Sequence, residues 1–491
     1  MKRQRHKTKL NHQKPDYGPS KKRVPNKVYD IIFVGGGPAT IAGAIAAKKK
    51  GLNILIIEMG TSIGDRRCPA KVLNIPCRGC KVCSIMSGFG GAGAFSDGKY
   101  TYSQPLGPYF IGGNLPDYIG FTLTSELIKY IFQDNIDRGA PNNLIKNANK
   151  DYLEQLMRSL EDVGLFLSYA DVNHIGTTAV QQLYTTYQHD LSDDILFNTH
   201  VKDIILSGDR VDGVITDSGD KYYAKYVVIA TGRSGARWFE EISAAHNFPQ
   251  KASKADFGLR LEVPTRIMKE LNENLYEAKI ILKYMDRMVR MFCTNPDGAV
   301  VTEQTDGITY VNGHSDNIAL SDKTNFAILV TTPDLSQEEV RNLGKVFNSL
   351  GNPPVQRYVD FVKGEKSSPI SIINLHPTLA TATAANMRPF FPKKEFEAFQ
   401  KYMTALNTVV PGITGPETLC YGLEAKFTNS GPKLTNDLRV EGYKNLFVAG
   451  DAGVSHGLAS AGASCLYVVL VILQLLGVLK GEISPDTLKN F

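Results

Sequence analysis

Residues 29–58 read YDIIFVGGGPATIAGAIAAKKKGLNILIIE, and no other stretch constrains the fold of this chain as strongly. Ile31–Val34 is a short apolar run of the kind that forms a strand buried on both faces. A glycine turn follows, then an Ala/Ile-rich segment that closes on Lys48–Lys50 and Gly51, residue types that end helices. A second apolar run ends on Glu58. This is a βαβ unit, and its spacing is that of a dinucleotide fingerprint: Gly35, Gly37 and Thr40, with an acid 23 residues after the first glycine. Gly35 permits the tight turn, and Gly37 lets backbone approach a pyrophosphate. The helix that starts at Pro38 then offers phosphates free N–H groups, from Ala39 onward, and a positive dipole end. Glu58 stands where a carboxylate accepts ribose hydroxyls. Thr40 replaces a glycine whose only task is helix–strand closeness, so no phosphate contact is lost.

A second glycine stretch, MSGFGGAGAFSDG (86–98), contains Gly88-x-Gly90-x-x-Gly93 and matches the same pattern literally. Cysteines and polar residues precede it where the fingerprint requires a strand. The expectation is a small-residue loop that a flat group can approach, with Ser96, Asp97 and Lys99 as polar contacts.

Two later stretches complete the picture. YVVIATGRSG (226–235) is a strand ending in Ala-Thr-Gly, and NLFVAGDAGVSHGLASAGAS (445–464) is a strand, Gly450-Asp451 and a glycine-rich helix entry. With these the chain resembles the two-dinucleotide-binding-domain flavoproteins, a group that includes glutathione reductase-like, hydroxylase-like and geranylgeranyl reductase-like enzymes. The resemblance implies an α/β fold: a Rossmann-like FAD-binding domain, a parallel sheet with helices built from discontinuous segments, plus a mixed α+β substrate domain. It implies FAD rather than NAD. Asp451 would bind the ribityl chain, with Gly450, Gly457, Ala461 and Gly462 at the entry of the last helix, whose N-terminus faces the flavin's pyrimidine edge. Backbone near Val201 would face the adenine, Gly232 would lie near the pyrophosphate, and Arg66 and Arg67 would lie over it. More narrowly, GDRRCP, CRGCKVCSIMSGFGGAGAFSDGK, VRMFCTNPDGAVV, VNGHS and YGLEAKF are similar to a poorly characterised family of bacterial and archaeal FAD-dependent dehydrogenases. The chain departs from these patterns at Thr40, and at Cys465, where relatives place Gly or Ala.

The implied activity is hydride transfer between flavin N5 and an organic small-molecule substrate. No second glycine fingerprint in a βαβ context lies downstream, so the electron partner is expected to be transiently bound NAD(P)H or another protein. Variants are an isoprenoid alkene reductase fed by ferredoxin and an NADPH-driven hydroxylase.

Cys68, Cys77, Cys80 and Cys83 put four thiols within sixteen residues. Cys-x2-Cys-x2-Cys is a spacing that iron–sulfur clusters use; zinc also accepts four thiolates, and a low-pKa pair could exchange electrons with flavin. Unligated cysteines packing a loop beside the flavin are the plain alternative. For acid–base or nucleophilic work the candidates are His314 in VNGHSDN and Cys293 in MFCTNP. Arg287 and Arg290 would hold an anionic substrate, and Glu424 would border the pocket.

These readings divide the 491 residues into a disordered basic tail (1–29), FAD segment I with the cysteine loop (30–105), a mainly helical insertion (106–190), FAD segment II (191–258), a substrate domain (259–410) and FAD segment III (411–491). Net charge is +6, yet residues 1–30 hold ten Lys/Arg against Asp16 and Asp30, so the body is near neutral. An arm over residues 1–27 for nucleic acid or an anionic surface, serving a nucleic-acid-modifying flavoprotein, is the sharper reading of that tail. It lacks base-stacking aromatics apart from Tyr17. No export signal is visible, and the cysteines suit a reducing compartment, so the expected location is cytoplasmic. Residues 465–479 are strongly apolar but shorter than the about 20 a span needs, so they are expected to form a core helix rather than a transmembrane one.

Overall fold

The computed structural model describes residues 27–69, 72, 80–96, 98–102, 114–145, 149–251, 255–275, 278–305, 307–314, 321–351, 353–427 and 431–490. The expectations placed on residues 1–26 of the basic tail, on Cys77 and on Asp97 lie outside these residues, while Val28 and Tyr29, assigned to the disordered tail, belong to the first strand.

The anticipated βαβ unit forms, with strand Val28–Val34, helix Pro38–Lys49 and strand Ile54–Ile57. Pro at the first helical position fixes a helical φ and removes an N–H that would have no partner there. Gly51 closes the helix in a left-handed conformation, φ +76°. Around this unit grows a sheet in which five strands run parallel. Ile195–Leu196 pairs with Ile54–Ile57, which pairs with Val28–Val34, which pairs with Lys221–Ile229. The last of these also takes Leu446–Val448 on its far side. The antiparallel strands Arg210–Thr216 and Val201–Ser207 extend the sheet through the N-terminal end of Lys221–Ile229. The chain therefore leaves Val28–Val34 in one direction and returns on its other side. That reversal is the topological switch point at which open α/β sheets leave a crevice outside the carboxyl ends of their strands.

A second sheet of eight strands, mostly antiparallel, lies beside the first. Its centre is Ala255–Pro264, paired with Lys323–Thr332 on one side and Leu419–Phe427 on the other. All ten residues of Ala255–Pro264 are buried. Segment 106–190 serves both sheets. Its helices Phe121–Asp137 and Thr177–Leu191 pack into the core of the first, while strand Leu165–Tyr169 joins the edge of the second. Leu419–Phe427, late in the chain, likewise belongs to the second sheet.

Helix Leu458–Leu475 is long and apolar enough to cross a bilayer, but 78% of its apolar window is buried inside the protein. It packs along helix Pro38–Lys49, and the two approach closely because Gly43 has no side chain. A Cβ on Gly43 would lie 2.5 Å from Cys465 Sγ and 3.1 Å from the Cys465 carbonyl oxygen. Cys465 thus fills the notch that Gly43 leaves; burial pushes its thiol well up, so it packs as a small apolar group. Gly43→Val should destabilise the protein by about 1–3 kcal/mol through overpacking, read as a lowered thermal midpoint. Cys465→Ala should recover part of the loss. An unchanged midpoint would mean that the two helices do not meet this closely.

Candidate functional site

A cleft of about 990 Å³ opens at the carboxyl edge of the parallel strands. That is at the upper end of the roughly 300–1,000 Å³ of ligand and cofactor pockets. Each of the five parallel strands contributes the residues that follow it. Gly35–Ala39 come after the first strand, Glu58 after the second, and Asn198–Val201 after Ile195–Leu196. Ala230–Gly235 follow Lys221–Ile229, and Gly450 with Asp451 follows Leu446–Val448.

The glycine turn is built by steric necessity. Gly35 has φ +101°, and a Cβ there would stand 2.6 Å from the Ala230 carbonyl oxygen of the neighbouring strand. At Gly37, Gly232 and Gly457 the opposite holds: an added Cβ would meet nothing within 4 Å. These three glycines leave backbone bare on the cleft wall. Gly37 and Gly457 precede the first and last helices, and no side chain caps either helix. Two helix N-termini, each worth about half a positive charge, therefore face one cleft that their own side chains do not neutralise.

Glu58 is buried and accepts from three backbone N–H groups: Gly36 at 2.6 Å on one oxygen, Gly60 at 2.8 Å and Gly88 at 2.9 Å on the other. A carboxylate has about four lone-pair sites, and these three bonds leave one for a further donor. Asp451 is bonded by His456 Nδ1 at 2.7 Å and approached by Arg233 Nε at 3.3 Å. Burial works to raise its pKa, but the His456 bond and the Arg233 charge outweigh it and hold the carboxyl below its ordinary range. Asp451 is an anion at neutral pH.

The second glycine stretch also reaches the cleft, through Gly91, Ala92 and Gly93. It is a short 3-10 helix, Gly91–Phe95, laid against the dinucleotide turn: Gly90 N–H donates to the Gly36 carbonyl at 2.9 Å. Arg66 anchors it. Its guanidinium donates to the carbonyls of Ser84 (2.9 Å), Ile85 (2.8 Å), Phe89 (2.7 Å) and Gly91 (2.7 Å). Burial draws Arg66 down to about 10, while Glu58, Cys83 and Tyr184 pull the other way, so it remains a cation at neutral pH. With its donors occupied by the loop, Arg66 is a clamp behind the wall instead of a phosphate ligand on it.

Other expectations fall in different places. Thr40 is fully buried, and its Oγ1 donates to the Gly35 carbonyl at 2.7 Å, clasping the turn. Gly462 touches Ile131 and Ala42 in the helix packing and is not on the cleft wall. Arg67 is exposed and also off the wall. His314 and Cys293 are exposed on the second sheet unit, and neither lines the cleft.

The anionic-substrate role given to Arg287 and Arg290 is corrected by their partners. Arg287 is buried among Glu395, Asp334 and Asp286, and Arg290 pairs with Asp256. Glu424 is fully buried in a two-point ion pair with Arg260, at 2.6 and 2.9 Å, and does not border the cleft. Sequence reasoning passed over Glu303, the one described cleft residue that the second sheet unit supplies. It sits mid-strand in the hairpin Ala299–Thr305/Ile308–His314, where alternation marks it only as polar. Its oxygens accept from Asn312 Nδ2 at 2.8 Å and Lys426 Nζ at 3.1 Å. It also passed over Trp238, His200 and Arg233, which line the cleft from loops and a helix flank.

Cys68, Cys80 and Cys83 carry no disulfide. Among the described residues no three His, Cys, Asp or Glu side chains stand together as a metal site, and Cys77 is outside them.

No protein-family model matches the chain. An uncharacterized protein of Clostridium beijerinckii is 22% identical over 475 residues, covering 90% of this chain and 80% of that one. A thioredoxin reductase of Ureaplasma parvum is 50% identical over 32 residues, 6% of this chain and 10% of the reductase. Solved structures that align along most of the chain include an L-amino acid deaminase from Proteus vulgaris, at 13% identity and TM-score 0.37, covering 96% of this chain and 100% of that one. A glycine oxidase from Bacillus cereus aligns at 14% identity and TM-score 0.34, covering 91% and 95% respectively. At such scores neither carries an argument about this chain.

Replacing Arg66 with Met would leave its four carbonyl partners without their donor. Each buried unsatisfied group costs about 1–3 kcal/mol, so Arg66→Met should lower stability by at least about 2 kcal/mol and expose residues 84–93 to limited proteolysis. Wild-type stability and protection in that variant would contradict the clamp.

Proposed function

We propose that this chain is an FAD-dependent oxidoreductase that moves a hydride between a flavin in the cleft and an organic small molecule. The observation that carries the reading is the convergence of five parallel strand ends and two uncapped helix N-termini on one cleft, with bare glycine backbone where diphosphate must approach. A diphosphate answers that geometry, because its negative charge meets unpaired N–H groups and two positive dipole ends. Ala39, at the start of the first helix, and Gly37 hold the diphosphate, with Gly232 beside it. The fourth acceptor site of Glu58 takes a ribose hydroxyl. Asp451, kept ionised by His456 and Arg233, accepts from the ribityl hydroxyls. Gly457 and Ala461 bring the last helix up to the ring, and the Gly91–Phe95 loop lines it.

Bound there, FAD supplies two-electron chemistry at its ring. Substrate meets that ring from the side of the second sheet unit, where Glu303 is the described acid–base group in reach. Electrons come from or go to transiently bound NAD(P)H or a protein partner, since one dinucleotide turn is accounted for and no second glycine fingerprint in a βαβ context follows in the sequence.

The purified full-length chain should show absorption bands near about 370 and 450 nm, those of an oxidised flavin, and should release FAD on denaturation. Hydrogen bonds to a charged acceptor contribute about 1.5–3 kcal/mol, so Asp451→Ala should weaken FAD binding by roughly 10- to 100-fold. A colourless protein that gains no flavin from added FAD would sink the reading. Iron and zinc assays on the same sample decide the cysteine loop: about four irons per chain would make Cys68, Cys77, Cys80 and Cys83 cluster ligands, and metal-free protein would leave them as loop cysteines.

A further inference from the structure

One end of the cleft is walled by residues that the dinucleotide fingerprint does not specify. Val201, His200 and Trp238 line it together with Thr216, Asp217 and Ser218, and Val201 pairs with Thr216 in the ladder. Trp238 is the single tryptophan of the chain. It lies on helix Ala236–Ala245, immediately after the Gly232 turn, and is half-buried. Its indole N–H donates to the Lys202 carbonyl at 3.2 Å. That bond pins the ring beside the strand Val201–Ser207, where the ladder slips register between Val201 and Asp203. His200 meets the indole edge-on, centroids 6.5 Å apart, and pairs with Asp217 through Nδ1 at 3.2 Å. Phe239 stacks near it at 6.3 Å, and the indole, fixed by these contacts, lines the cleft.

A planar, oriented aromatic at one end of a dinucleotide-sized cleft is a stacking platform for a base. We infer that Trp238, positioned by the Lys202 carbonyl and by His200, is the wall against which the adenine of the bound dinucleotide stacks. This rests on the FAD reading above and adds to it the residue that distinguishes an adenine dinucleotide from a flavin mononucleotide. The diphosphate end of the cleft binds both kinds of ligand through backbone. Only a ligand that carries adenine reaches Trp238. Base–aromatic stacking is worth enough that alanine substitution weakens binding by roughly 5- to 150-fold.

The test uses the full-length chain stripped of flavin, with FAD, FMN and ADP as separate probes. Because the chain has one tryptophan, its emission reports this site alone. ADP and FAD should each quench the indole emission of the wild-type chain. Trp238→Ala should weaken FAD and ADP binding by about 5- to 150-fold, followed for FAD by its own fluorescence, and should leave FMN affinity unchanged. Trp238→Phe keeps an aromatic face, so it should restore most of the FAD affinity, and the unchanged FMN affinity of Trp238→Ala shows that the Ala variant is folded. Equal FAD affinity in wild type and Trp238→Ala would overturn the inference while leaving the flavin reading intact. So would an indole emission that ADP does not alter in a chain that binds FAD. A wild-type chain that takes up neither FAD nor FMN would overturn both.

Discussion

The buried carboxylate of Glu58 is the joint on which the cleft depends. It draws N–H groups from Gly36, Gly60 and Gly88 onto its two oxygens and so fastens three loops at the edge of one sheet. None of the three could be satisfied by a neutral side chain of the same reach without loss, because hydrogen bonds to a charged acceptor are about twice as strong as neutral ones. The packing is so close that a Cβ on Gly60 would stand 2.4 Å from the Gly88 backbone nitrogen. Arg66 continues the same construction: it lies against Gly88 and reaches the carbonyls on both sides of it. An acid that gathers donors and a base that gathers acceptors thus stand back to back. Together they turn a glycine-rich stretch with little side chain of its own into a fixed wall.

The electrostatics of the cleft follow from what is left unpaired. Helices Pro38–Lys49 and Leu458–Leu475 lie side by side, and both begin at the cleft. Two like dipole ends repel, and this cost is tolerable where an anion sits between them. Asp451 supplies one fixed negative charge close by, itself held by His456 and Arg233. A ligand carrying diphosphate would complete the balance, and would tie the helix packing around Gly43 and Cys465 to the chemistry at the far end of those helices.

What could be read in the sequence was whatever is local. The βαβ unit, the switch from glycine turn to helix, the acid at the end of the second strand and the Gly-Asp turn before the last helix all depend on residues a few positions apart, and each stands where its spacing predicts. The apolar helix near the C-terminus was legible as a core element because its run is short and its entry is made of small residues. Long-range pairing was not legible. Arg66 sits where a phosphate ligand is expected, but its partners lie 18–25 residues further on, in a loop whose path no local pattern fixes. Arg287 and Arg290 read as anion binders because their partners Glu395, Asp334 and Asp256 come from distant parts of the chain. Segment 106–190 looked like one helical insertion, and the strand Leu165–Tyr169 hidden at its centre is recruited by an edge formed more than a hundred residues later.

The second sheet unit meets the cleft through a row of alternating charges. Arg260 and Glu424, both fully buried, form its inner pair, and Lys426 stands 3.6 Å from Glu424 and 3.1 Å from Glu303 at the cleft. Removing one member of a buried pair costs about 3–5 kcal/mol because the other is left uncompensated, so Arg260 and Glu424 are fixed by each other and neither is available to a substrate. Lys426 is claimed from both sides. The row sums to zero, and the group it presents to the cleft is a carboxylate. An anionic substrate gains no attraction from this wall. A substrate with a hydroxyl or amine beside the carbon that exchanges hydride would find in Glu303 an acceptor for its hydrogen bond, held in place by Lys426 and Asn312. The arginines that looked most like substrate ligands are locked into the sheet, and the charged group that the second sheet unit brings to the cleft is a glutamate that periodicity alone could not single out.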